Sequence, residues 1–217
     1  MTMIKLLYTS CLLTGIFLTS AAHADLASEL TQVQTSWATV NYELVDKAQL
    51  NAFEKLSEQA AEFAKTYDDQ AQSHIWYGIV LSSYAGAKGG LGALGLAKDA
   101  KAQLEQAIEI DANALSGSAY TSLATLYSKV PGWPIGFGDD DKANKLFNQA
   151  LAINPNGIDS NYLYAAFLYD EREYKKAKTH LLAAQQAPAR PDRPKADLYR
   201  QQEITQLLAK VDKKLKR

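Results

Sequence analysis

Asp139-Asp140-Asp141 offers three consecutive carboxylates, hard oxygen donors of the kind that hold a divalent cation. The run lacks Asp-x-Asp-x-Asp-Gly spacing and a distal Glu. It reads instead as an N-cap at Asp139 followed by two acids that meet the positive end of a helix dipole. The glycine-rich stretch 89–95 has no Gly-Lys-Ser/Thr and follows a helical segment, so it is not expected to cradle a phosphate. His74 and His180 have no His or Cys partner at ligand spacing. With no Gly-x-Ser-x-Gly and no His-Glu-x-x-His, no nucleophile, metal centre or cofactor is expected. The enzymatic option left open is a pair of carboxylates brought together by folding, which needs no local motif.

The stretch 130–139, Val-Pro-Gly-Trp-Pro-Ile-Gly-Phe-Gly-Asp, is a different kind of candidate. Its glycines and prolines select tight turns. Trp133 and Phe137 have two readings. They fold back and cap the ends of neighbouring helices, or they form an exposed lip that grips a partner or ligand. A Trp between two Pro-containing turns is stiff and loses little entropy on binding. Trp133, Ile135, Phe137 and Asp139 are therefore the candidate binding residues of this loop.

The elements that position these residues are helical. Leu26, Leu30, Val33, Trp37 and Val40 form one apolar stripe at helical spacing, and Phe53, Leu56, Ala60, Phe63 and Ala64 form another. Residues 1–24 read as a secretory signal peptide, with Lys5 in the n-region, an apolar run over 6–17 and Ala22-His23-Ala24 before the cleavage point. Cys11, the single cysteine, sits inside that run and leaves with it. An exported, periplasmic mature chain without a transmembrane helix or a disulfide is expected.

Shifting the sequence by 43 residues aligns Tyr77–Asn113 with Tyr120–Asn156 without a gap, with nine identities in 37 positions. The matches fall at glycines and at helix-packing steps. Tyr120, Leu123-Ala124 and Tyr127, then Ala143, Phe147, Ala150 and Pro155, follow the spacing of a helix pair. Tyr77, Val80-Leu81, Tyr84, Ala100, Leu104 and Ala107 form an earlier copy, and Tyr162, Ala165-Ala166, Tyr169, Tyr174, Ala177, Leu181 and Ala184 a later one.

This pattern resembles the tetratricopeptide repeat (TPR). The resemblance implies an all-α, TPR-like α-solenoid of antiparallel helix pairs. Its parts are an N-terminal helical pair over 25–68, repeats over about 74–113, 117–156 and 159–189, and a C-terminal capping helix with a basic tail over 194–217. Tyr169 and Ala177 are 8 residues apart, whereas the corresponding distance in the two earlier copies is 16, so elongated loops are expected at 88–95 and 130–139. The 130–139 stretch and the later 154–162 stretch, Asn-Pro-Asn-Gly-Ile-Asp-Ser-Asn-Tyr, resemble exported bacterial TPR proteins related to the periplasmic T-component of TRAP transporters.

By that resemblance the fifth and ninth residues of each first helix face the concave groove. These are Gly78 and Ser82, Thr121 and Thr125, and Leu163 and Phe167. They imply a small, neutral groove, apolar at its third unit, suited to an extended peptide, a helix or an apolar ligand and not to clamping a C-terminal carboxylate. The helix over about 196–214 is expected to fill part of it. Net charge is −1, yet residues 25–170 carry −9 and residues 171–217 carry +7. A whole-chain basic footprint for nucleic acid is absent.

The expected function is a non-enzymatic interaction or scaffolding module with a protein or peptide partner, a transporter binding protein among the candidates. The alternatives are a T-component-like role in small-ligand uptake and a cell-envelope hydrolase with an unrecognised carboxylate pair.

Overall fold

The computed structural model describes residues 17–216. The expected leader lies outside the described residues up to residue 16, Cys11 included, and residues 17–24 continue into the first helix. Nine helices are present among the described residues: α1 (Phe17–Glu43), α2 (Asp46–Thr66), α3 (Ala71–Lys88), α4 (Gly90–Asp111), α5 (Ala114–Lys129), α6 (Asp140–Ile153), α7 (Ile158–Asp170), α8 (Tyr174–Gln185) and α9 (Pro194–Leu215). None is long and apolar enough to cross a membrane.

The helices pack as antiparallel pairs, α1/α2, α3/α4, α5/α6 and α7/α8, closed by α9. This is an α-solenoid. Ala100, Ala143, Ala165 and Ala177 have no exposed surface, because a small side chain there lets paired helices approach. A longer one would have to push a packed neighbour aside. Phe147, Leu104 and Leu181 are the large buried side chains of α6, α4 and α8. Phe147 meets the rings of Tyr164 and Phe167 at 5.3 and 5.6 Å, so α6 of one unit is welded to α7 of the next.

Each odd-numbered helix touches the next odd-numbered helix, so α1, α3, α5, α7 and α9 form an inner layer. The layer curves until α9 meets α1. Tyr42 stacks on Tyr199 with ring centroids 4.7 Å apart, and Lys195 Nζ lies 3.0 Å from both Thr39 Oγ1 and the Glu43 carboxylate. The basic C-terminal segment thus meets α1 of the acidic body through this clasp, and α9 joins the layer as one more wall.

The glycine-rich stretch differs from its expectation as a loop. Gly89 and Gly90 have φ of +61° and +62°, and this single corner turns α3 into α4. Helix α4 begins at once, and Gly92 and Gly95 lie within it. The extra residues therefore lengthen a helix. Of the two stretches expected as loops, 130–139 is the elongated connection.

Candidate functional site

Two places bring unusual side chains together: the 130–139 loop and a half-open chamber lined by the inner helices and the connection after α8.

The loop is fixed from beneath. Gly138 N donates to Pro131 O at 3.0 Å and Asp139 N to Tyr127 O at 3.0 Å. Gly136 N donates to Gly132 O at 3.1 Å. Phe137 lies edge-on to Tyr127 at 5.4 Å, with Lys101 Nζ 5.9 Å from its ring. Lys142 Nζ donates to the Tyr127 hydroxyl at 2.6 Å. The long α4 contributes Leu94 and Lys101 to this platform. The two aromatics of the loop part company: Phe137 packs down, while Trp133 is 89% exposed and Ile135 62% exposed. Asp139 is the N-cap of α6 and accepts from Lys142 N at 2.9 Å. Asp139→Ala removes that acceptor and should cost about 1 kcal/mol, or about 2–4 °C in a thermal melt.

The chamber has a volume of about 570 Å³. Thr121, Thr125 and Leu163, expected on the concave face, line it. Phe167, expected beside them, is buried in the core instead, drawn into the aromatic cluster with Phe147 and Tyr164. Gly78 is also core: a Cβ there would lie 2.7 Å from the Leu104 side chain, so this position holds α3 close to α4. The face is far from neutral. Arg190, Arg193 and Arg200 reach the chamber from the connection after α8 and from α9, opposite Asp159 of α7.

Asp159 accepts from Arg190 Nη1 at 2.7 Å and from Arg200 Nε at 2.9 Å, and Arg193 Nη1 stands 3.7 Å away. Burial alone would push its carboxyl up. The charges of Arg200, Arg190 and Arg193 overcome this and hold it well below the usual carboxylate range. Arg200 also binds Glu203 at 2.7 Å and lies 4.4 Å from the Tyr162 ring. Burial raises Glu203 despite Arg200, and burial pushes Tyr42 up to about 12. Of the three acids that line the chamber, Asp159, Asp192 and Glu203, Asp159 and Glu203 are both bound to Arg200.

The histidines have structural partners. His74 contacts Gln103 Oε1 at 2.7 Å and the Asp68 carbonyl at 2.9 Å, while His180 contacts Asn161 Oδ1 at 2.9 Å. Among the described residues no group of three His, Cys, Asp or Glu is placed to hold a metal ion.

Sequence reasoning did not single out the arginines. They lie outside the repeats, in the segment 186–193 and the first turns of α9, where repeat positions assign no face.

No family model matches the chain, and no curated protein matches it. Among solved structures, one from the functional characterization of Pseudomonas aeruginosa pilF is similar at 14% identity with a TM-score of 0.36. The match covers 90% of this chain and 92% of that one.

Proposed function

We propose that the chain is an exported, non-enzymatic interaction module of the periplasm that grips a protein partner with the tip of the 130–139 loop. One observation carries this reading: a large indole stands almost fully in solvent on a backbone that is pinned at both ends. Exposed aromatics beside an aliphatic side chain are the side chains that anchor protein interfaces. Rigidity beneath the tip means little order is lost when a partner closes over it.

The expected result is that mature protein immobilised from periplasmic extract retains a specific partner. Trp133→Ala and Ile135→Ser should each abolish retention while leaving helicity and melting temperature unchanged. Retention by both variants at the wild-type level would remove the loop from the interface.

A second reading, small-ligand handling of the kind the T-component resemblance implies, is favoured by the chamber. Its size falls within the range of small-molecule sites, and its walls carry hydroxyls, amides and charge.

A further inference from the structure

We propose that the chamber takes a small polyhydroxylated molecule through a single carboxylate seated on Arg193. This rests on the small-ligand reading of the chamber and is independent of the loop.

The three arginines are not equivalent. Arg190 is committed: its main-chain N and its Nε donate to Asp197 at 2.7 and 2.8 Å, and its Nη1 donates to Asp159 at 2.7 Å. Arg200 is committed to Asp159 and Glu203. Arg193 is different. Its Nε is buried and has no hydrogen-bond partner among the described residues. Its nearest acid, Asp159, is 3.7 Å from Nη1, outside hydrogen-bond reach, and is already shared by the other two arginines. The side chain is 15% exposed, so water does little to satisfy it. Its guanidinium carbon lies 5.0 Å from the centroid of the Trp76 ring, which holds the planar group in place. The Nη groups make no side-chain hydrogen bond among the described residues and Arg193 lines the chamber, so its terminal donors are the ones an acceptor can reach.

The rest of the chamber narrows the acceptor. A carboxylate accepts two parallel N–H bonds from the guanidinium fork. A dianion is disfavoured, because Asp159, Glu203 and Asp192 line the same space and, of the three arginines, Arg193 alone lacks a hydrogen-bonded acid among the described residues, so one negative charge is matched and a second is not. The same lining carries Ser82, Ser83, Ser116, Thr125 and Asn154, donors and acceptors suited to hydroxyl groups. Ser116 is in this wall because Leu115, Ser116 and Gly117 form a left-handed turn, with φ of 46°, 57° and 75°. Backbone of that kind is retained where the surroundings enforce it, and it is concentrated at ligand sites.

The test is calorimetric titration of the full chain. The probes are acetate, lactate, gluconate and glucuronate, with glucose as the neutral counterpart and succinate and inorganic phosphate as the dianions. The expected result is saturable binding of a monocarboxylate, tightest for the hydroxylated acids. Arg193→Gln should weaken it roughly tenfold or more, with Arg193→Lys between the two, because lysine keeps the charge and loses the fork. Melting curves identify any variant that fails to fold, and Arg193→Lys then carries the comparison. Glucose binding as tightly as gluconate overturns the carboxylate and leaves a solute-binding chamber. Succinate or phosphate binding as tightly as the monocarboxylates, or unchanged binding in a folded Arg193 variant, also overturns the proposal. No saturable binding by any probe overturns both the proposal and the small-ligand reading.

Discussion

Asp159→Asn is expected to lower stability by about 3 kcal/mol, the lower end for removing one partner of a buried ion pair, because the Asp159 side chain keeps 29% exposure. For a chain of this size that is a fall of about 6–12 °C in melting temperature. The substitution keeps the shape and removes the charge. Arg190 and Arg200 lose the acid they share, and three guanidinium groups are left facing one another across the chamber. The network also fastens the 186–193 connection and α9 to α7, so the loss should appear as increased hydrogen exchange in α9. A double variant with Arg200→Met should be less destabilised than the sum of the single changes, since the two residues share one interaction. Acid should narrow the gap between wild type and variant. A carboxylate whose folded pKa is depressed contributes its stability above the unfolded value of about 4 and loses it as pH falls toward the folded value. The wild-type advantage should therefore be complete at pH 6 and shrink progressively below about pH 4. A constant difference between the two proteins down to pH 2 would show that the charge of Asp159 contributes nothing.

Gly138→Ala should disorder the loop. A Cβ at this position would lie within van der Waals overlap of the Val130 carbonyl oxygen, and 2.9 and 3.0 Å from the carbonyl carbons of Val130 and Pro131. These are backbone atoms. Val130 N is held by Leu126 O at the end of α5, and Pro131 O accepts from Gly138 N, so neither can yield without breaking the loop's own bonds. The expected cost is about 2–3 kcal/mol, at the upper end for overpacking. Phe137 should leave Tyr127, and the tip should lose its fixed orientation. The checkable signature is increased hydrogen exchange confined to 130–139, with the far helices α1 and α2 unaffected. Gly86→Ala is the contrast: it lies within α3 and no heavy atom lies within 4 Å of a Cβ there, so the change should stabilise by up to about 1 kcal/mol. Equal stability of Gly138→Ala and wild type would mean that the loop is not held in the geometry described.

The helix pairs were legible in the sequence because packing selects residue type at short range. Ala143, Phe147 and Ala150 carry the signature of one paired helix, and the 43-residue shift repeats it. The corner at Gly89-Gly90 was less legible. A glycine-rich stretch reads as a loop, but only two positive-φ residues are needed to reverse the chain, and the rest adds turns to α4. Phe167 shows the limit of reading faces from repeat positions, since its direction is set by the aromatic partners Phe147 and Tyr164. The charged chamber was not legible at all. Asp159 meets Arg190 and Arg200 across 31 and 41 residues, and that meeting depends on the summed rotation of successive helix pairs bringing α9 round to α1. Local patterns do not encode that sum. The exposed Trp133 tip was half legible: composition marked the stretch, while the division of labour between Trp133 and Phe137 follows from Tyr127 and Lys142 beneath them.

The most direct test of the account is the dissociation constant of the retained partner for wild type and for Trp133→Ala, measured with both proteins' melting curves. The expected loss is about thirtyfold or more, equivalent to at least about 2 kcal/mol at an interface anchor, with coincident melts. Equal affinity for the two proteins would contradict it.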